Sequence, residues 1–216
     1  MDLLNINGKF YTFMTKVADL VILSVLWLLT SLPVFTLGAS SSALYYSVIK
    51  VVRKDSDGPV RAFFKAFKEN FKQGTVITVA VAVFALLVTI VGTAVYRVNS
   101  EAETLQRIYT VYLILLGIII AWLHYLISYI ARFRAPLKTV LKNSLVISIV
   151  NLPQSISMMV LFILCIVGFI LSFPSSAMVI LLAPGVYALL TSYLVERIYN
   201  KYQSEEDPEA AEEHFE

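Results

Sequence analysis

Five stretches of this chain run for about 20 residues or longer without an Asp, Glu, Lys or Arg, and nothing else in it restricts the fold as strongly. They are Leu20–Ile49, Thr75–Tyr96, Ile108–Ala131, Ser144–Leu171 and Ala177–Val195. A helix needs roughly 20 apolar residues to cross about 30 Å of hydrocarbon. Backbone N–H and C=O groups in lipid must be satisfied within the segment, which makes helix the default. Composition agrees, because a soluble domain has about a quarter of its residues charged. Here 58% are hydrophobic and 15% charged, with a mean hydropathy of +0.77.

The first stretch is too long for one crossing and short for two. Pro33 and Gly38 lie in its middle, where a helix can stop and restart. The expected spans are therefore 11–32, 39–53, 75–96, 108–131, 144–171 and 177–198, with 1–203 as the transmembrane domain. Lys9 and Lys16 precede the first span, and Leu37-Gly38-Ala39 has a faint cleavage-site character. Its apolar core nevertheless exceeds the roughly 7–15 residues of a signal peptide, so it is expected to be retained. The second span is short and carries Ser40, Ser41, Ser42, Tyr45 and Tyr46. Small residues of this kind suit packing between helices better than contact with lipid.

Charge sets the orientation. The tail from Glu205 to Glu216 holds seven of the 15 acids and none of the 17 bases. The rest of the chain is therefore strongly basic. In a soluble protein that balance suggests nucleic acid; here the bases flank apolar spans, so topology explains them and no nucleic-acid partner is expected. With six spans, both termini are cytoplasmic and only Arg97 and Arg107 lie outside. With five, the N-terminus moves out and takes Lys9 and Lys16 with it. The first arrangement fits the excess of cytoplasmic Lys and Arg better, with the second as its alternative.

Two cytoplasmic connections have helical character. After Pro59, Phe63, Phe67 and Phe71 recur every four residues, while Arg61, Lys65, Lys68 and Lys72 lie mostly on other faces. This is a basic amphipathic helix, suited to lying at the headgroups or to touching a cytoplasmic partner. Arg132, Arg134, Lys138 and Lys142 make up a second, shorter basic segment. Phe64–Asn70 can be laid over Leu137–Asn143, which points to a repeat of basic helix, span, span. Residues 204–216 are acidic, lack apolar periodicity and are expected to be a disordered cytoplasmic tail. The expected class is all-α: a polytopic transmembrane helical bundle with short basic interfacial helices.

Ionisable groups within spans are costly and are the first candidates for function. Asp19 stands one turn after Lys16 and is expected to pair with it, and Glu196 is expected to pair near Arg197 at the interface. His124 is eight residues before Arg132, Asn151 eight after Asn143, and Tyr46 seven before Arg53, with Gln154 about one turn beyond Asn151. At 1.5 Å per residue this puts His124 and Asn151 about 12 Å from the cytoplasmic edge, with Tyr46 close to the same level and Gln154 about one turn beyond. Such a layer serves either as interhelical hydrogen bonding or as a polar pocket. Pro153 removes a backbone donor and is expected to kink its helix. Cys165 lies within an apolar run, and no Cys/His cluster has metal-ligand spacing. No P-loop, HExxH, dinucleotide glycine pattern or Ser-His-Asp order is present, so neither cofactor nor enzymatic activity is expected.

The run Trp27–Ser40, followed by Ala43-Leu44-Tyr45-Tyr46, resembles the bacterial YesL family, as do Phe64–Gln73 and Asn151-Leu152-Pro153. The family comprises small multi-pass membrane proteins of unknown function, mainly from Gram-positive bacteria. Its genes often neighbour those of carbohydrate ABC transporters and two-component sensors. The resemblance implies the bacterial cytoplasmic membrane and a non-enzymatic accessory role beside such a transporter or its sensor. Membrane lipids are the other expected partner, and a homo-oligomer is compatible with the sequence. The alternative is a small transporter or channel using the polar layer. No catalytic residue carries over from the family.

Overall fold

The computed structural model describes residues 3–54, 58–98, 102–172 and 177–206, which are helical almost throughout and contain no strand. Helix α1 spans Leu3–Ser31 and is followed by a 3-10 turn, Val34–Thr36. Helix α2 (Leu37–Ser47) runs directly into a π-helical segment, Val48–Arg53. Then come α3 (Pro59–Val98), α4 (Ala102–Arg132), α5 (Leu137–Val150), α6 (Leu152–Ser172) and α7 (Ala177–Glu206).

The short α2 is the hub of the bundle, in contact with α1, α3, α4 and α7. Gly38, Ala39, Ser40, Ser42, Ala43, Leu44, Tyr45 and Ser47 are all buried. Small side chains let the neighbouring backbones approach, which suits a bundle in lipid, where apolar side chains gain little by leaving hydrocarbon. Two of the hydroxyls are satisfied within the helix: Ser42 donates to the Ala39 carbonyl at 2.9 Å and Ser47 to that of Ala43 at 2.7 Å. The turn before α2 is tied by Thr36, whose hydroxyl lies 2.6 Å from the carbonyls of both Thr30 and Pro33.

The tightest crossing is between α2 and α3. A Cβ on Gly38 would lie 2.5 Å from the Gly74 carbonyl oxygen, and one on Gly74 would lie 2.4 Å from the Ala39 nitrogen. The Gly38 N–H donates to the Thr78 hydroxyl at 2.8 Å, and that hydroxyl donates to the Gly74 carbonyl at 2.9 Å. Nearer the other end of α2, Val48, Val51 and Val52 share a core with Ala62, Phe63 and Ala66 of α3. The hub helix therefore lies along the basic half of α3, not along its apolar half. A second close approach joins α1 to α7. The Gly185 N–H donates to the Ser24 hydroxyl at 2.9 Å, and a Cβ on Gly185 would sit 2.7 Å from that oxygen.

Several expectations are corrected. The basic segment after Pro59 is not a separate short interfacial helix, since it continues without a break through Gly74 into the apolar part of α3. Its rings do not all face headgroups: Phe63 is fully buried against α2, whereas Phe64 and Phe71 are exposed. Ser144–Leu171 is not one continuous span. The basic segment 137–142 opens α5, which ends at Asn151, and α5 and α6 meet at a bend of 95°. Pro153 in the first turn of α6 explains the break, as its ring has no N–H for a carbonyl of the preceding turn. The two halves of the proposed repeat thus differ, one continuing straight and the other bent. Helix α7 reaches Glu206, so the start of the expected tail is helical; 207–216 lie outside the described residues.

Among the described residues, three helices are long and apolar enough to cross a membrane: Phe10–Ser31, Pro59–Ala94 and Gln106–Arg132. The bent pair α5–α6 makes a fourth if taken as one span. Much of their apolar surface is exposed, including Val83, Leu87 and Val91 of α3 and Tyr109, Leu115 and Ile118 of α4. Protein packing does not cover these side chains, as expected for helices that face lipid.

The glycine crossing gives a direct test. Gly74→Ala must push α3 off the α2 backbone and is expected to cost about 1–3 kcal/mol, as overpacking does. Gly92→Ala adds a methyl where nothing lies within 4 Å and should be tolerated. Thermal unfolding in detergent compares the two, and equal midpoints would show that the helices do not touch at Gly74.

Candidate functional site

Helices α1, α2, α4, α6 and α7 enclose a cavity of about 630 Å³. That volume falls within the roughly 300–1,000 Å³ usual for small-molecule sites. Its walls are mostly aliphatic and aromatic, and its lining residues include no Asp, Glu, Lys or Arg. Helix α7 contributes most of the wall on one side, from Ala183 to Val195. Both α1 and α6 pack on α7, and the cavity is only partly enclosed, with the exposed Ile166 of α6 among its lining residues.

His124 is the most polar feature of this cavity. Its Nδ1–H donates to the Ile120 carbonyl at 2.6 Å, one turn back on α4. A carbonyl can only accept, so this bond puts the proton on Nδ1 and leaves Nε2 as an acceptor. The Tyr187 hydroxyl fills that role by donating to Nε2. The rings of His124, Phe162 and Tyr187 pack mutually, with centroids 5.5–5.8 Å apart. Farther along the wall, the Trp27 Nε1–H donates to the Ser41 hydroxyl oxygen at 3.1 Å.

A second polar centre lies about two turns farther along α4 and α7, next to the cavity wall at Tyr45. Arg132 at the end of α4 pairs with Glu196, and both side chains are nearly fully buried. The Tyr45 hydroxyl donates to the same carboxylate at 3.3 Å, and Arg132 also donates to Asn200 at 2.9 Å. The Arg132 guanidinium lies over the rings of Phe133 and Tyr199, at 5.5 and 5.4 Å from their centroids. Nearby, Arg53 donates to the Ser192 carbonyl at 3.1 Å and stacks on Tyr193 at 4.4 Å. Lys50, on the π-helical segment, is buried as well. Partial burial lowers the Lys54 ammonium below its usual pKa, and repulsion from Lys50 lowers it further. Lys and Arg therefore outnumber carboxylates around Glu196.

The third feature is a cationic surface. Gln73 donates to the Ala135 carbonyl at 2.9 Å, and Arg134 pairs with Glu69 at 3.1 Å. These contacts join the basic half of α3 to the start of α5. Arg61, Lys65, Lys68, Lys72, Arg134, Lys138 and Lys142 are all exposed on these two elements. The two basic segments seen in the sequence are thus linked, through contacts between α3 and the connection that precedes α5. Arg132 is the exception, being a buried ion-pair member and not a headgroup contact.

The proposed polar layer is not assembled as a unit. Of Tyr46, His124, Asn151 and Gln154, only His124 lines the cavity. Asn151 sits at the α5–α6 elbow, donating to the Ile147 carbonyl at 3.0 Å and to the Tyr202 hydroxyl at 3.4 Å. Tyr46 packs between the two hydrophobic cores, and Gln154 is half-buried on α6. Glu196 pairs with Arg132 and not with its neighbour Arg197, which is exposed. Lys16 and Asp19 lie part-buried, one turn apart on α1. Sequence reasoning missed Tyr187 and the Arg132–Glu196 pair. The Pro184-Gly185 interruption in α7 was the available sign that its middle is more than a plain span. Among the described residues, no group of three His, Cys, Asp or Glu side chains is arranged to hold a metal ion.

Long apolar helices with uncovered faces mark this chain as an all-helical membrane protein. Residues 20–91, from the middle of α1 into the distal part of α3, match a family described as a protein of unknown function, DUF624. That family includes YesL, so over these residues the match and the sequence resemblance agree. No curated protein matches the chain. No solved structure matches it either.

The buried ion pair predicts strongly non-additive mutants. Glu196→Leu leaves the Arg132 charge without its carboxylate and is expected to cost about 3–5 kcal/mol. The double variant Arg132→Met/Glu196→Leu removes both charges and should recover most of that loss. Detergent unfolding midpoints of the single and double variants check this, and additive losses would rule out the pairing.

Proposed function

We propose that this chain is a non-enzymatic accessory protein of a bacterial cytoplasmic membrane, working beside a carbohydrate ABC transporter or its sensor. The observation that carries the reading is the joined cationic surface of α3 and α5, held by Gln73–Ala135 and Arg134–Glu69. Seven exposed Lys and Arg side chains on two linked elements make a larger contact face than either segment alone. The association with sugar uptake rests on the YesL resemblance and on the gene neighbourhood it implies. In this reading the surface faces the cytoplasm, where anionic headgroups and acidic partner loops both favour it.

The same reading takes α1, α2, α3, α4, α6 and α7 as six crossings, with both termini inside. The packing of α2 along the basic half of α3, which this reading places in the cytoplasm, is the observation that favours the alternative of five crossings. With five crossings the N-terminus would lie outside. Cysteine labelling separates the two in a Cys165→Ala background. Lys9→Cys, Lys65→Cys and Lys138→Cys should all be protected from an impermeant reagent in intact cells and labelled after permeabilisation. Labelling of Lys9→Cys alone in intact cells selects five crossings.

The alternative, a small transporter or channel, has less support. Its proposed polar residues are dispersed, and the cavity around His124 is mostly apolar. Solute flux through reconstituted protein, lost on His124→Ala, would favour it.

Co-purification from native membranes, with cells grown on an inducing carbohydrate, tests the accessory role. Transporter or sensor subunits should be recovered with the wild-type chain. Recovery should fall at least tenfold with Lys65→Glu, Lys68→Glu, Lys138→Glu and Lys142→Glu combined. Recovery of no such subunit with the wild-type chain refutes the role.

A further inference from the structure

We infer that the cavity between α1, α2, α4, α6 and α7 is a binding site for an uncharged single-chain lipid that enters from the bilayer past Ile166 of α6. Shape comes first. The cavity of about 630 Å³ is large enough for a ligand and is only partly enclosed, and its lining residue Ile166 is itself exposed. Ile163 and Val167, one turn and one residue away on α6, are exposed and apolar too, as is Leu29 next to the lining residue Leu28 of α1. A molecule entering past Ile166 therefore comes from an apolar surface, and so from the lipid phase.

The chemistry of the walls selects among lipids. Lys50, Arg53 and Arg132 do not line the cavity. Arg53 binds the Ser192 carbonyl and stacks on Tyr193, which at 100° per residue lies on the face of α7 opposite Thr191 and Val195. Thr191 and Val195 are the residues that line the cavity. No Lys or Arg lines the cavity to hold a phosphate, and a charged headgroup drawn inside would lose its hydration without compensation. An ordinary two-chain phospholipid is therefore disfavoured.

Two polar valences remain inside for an uncharged oxygen. The Tyr187 proton is committed to His124 Nε2, so the Tyr187 oxygen can still accept. The Ser41 oxygen accepts from Trp27, so the Ser41 hydroxyl proton can still be donated. An alcohol both donates and accepts and so matches either group, while its alkyl chain fills the apolar remainder beside Met158 and Phe162.

The test uses the full-length chain in phosphatidylcholine vesicles with a 16-carbon fatty alcohol carrying a mid-chain diazirine. Photolabel should map to Met158, Phe162 and Ala183, and excess unlabelled hexadecanol should suppress it. Ala183→Trp, which fills the cavity, should cut labelling at least tenfold. Ile166→Trp, at an exposed lining residue, gives the same loss without burdening the core. Tyr187→Phe removes one hydrogen bond and should weaken competition by up to about tenfold. Labelling confined to Leu29, Ile163 and Val167, or unaffected by hexadecanol, overturns the site. A parallel arm uses phosphatidylcholine bearing the same diazirine in one acyl chain. If that probe labels the cavity as strongly as the alcohol, the single-chain assignment fails. None of these readouts involves a protein partner, so the site and the accessory role stand or fall separately.

Discussion

The backbone contact between Gly38 and Gly74 is the constraint on which the rest of the bundle depends. At this point α2 and α3 approach so closely that neither can carry a Cβ. The gain is not hydrophobic in the usual sense, because in a bilayer the competing environment is as apolar as the interface. It comes from dispersion between closely packed backbones and from the Gly38–Thr78 hydrogen bond. Once α2 is fixed on α3, its remaining faces are left to α1, α4 and α7, and each helix is positioned against the same short hub. The serines of α2 suit this arrangement, since small side chains let all four neighbours come near.

Placing α2 along the basic half of α3 has a consequence for the charges. Phe63 turns inward and Lys65 and Lys68 turn outward, so the amphipathic helix divides its faces between the hub and the surroundings. The basic residues of α3 are thus carried on a rigid element that is continuous with a membrane-spanning helix. The start of α5 is tied to it through Gln73 and Ala135. A cationic face built this way keeps its geometry without depending on a headgroup layer.

Much of the architecture was legible because hydrophobic runs and breakers act locally. Pro33 and Gly38 marked the restart of the chain into α2, and Pro153 marked the break that appears as the α5–α6 elbow. What failed was anything that required knowing directions in space. Counting eight residues from Asn143 gave Asn151 a depth equal to that of His124 only if the helix ran along the membrane normal. With a 95° bend at Asn151, residues along α5 and along α6 do not measure the same depth. Glu196 was matched to Arg197 by adjacency, yet consecutive residues on a helix do not face each other. Its partner, Arg132, is 64 residues away, beyond any local signal. The glycine pair was hidden for the same reason, since a helix with Gly74 in it reads as slightly weakened and not as a contact.

Helix α7 shows how one element serves two incompatible environments. Its Tyr187, Thr191 and Val195 side faces an uncharged cavity, and its Ser192 and Glu196 side meets Arg53 and Arg132. A buried charge is tolerable only with a partner and further hydrogen bonds, and Glu196 has Arg132 and Tyr45. Had the same carboxylate been placed at position 191 or 195, it would have faced apolar walls with no described cation beside it. Thr191 and Glu196 are five residues apart, about 140° around the helix, and that angle is what keeps the cavity neutral. The electrostatic pairing and the apolar cavity are therefore two results of one helical register. A change that rotated α7 would disturb both, even though the two sites share few residues.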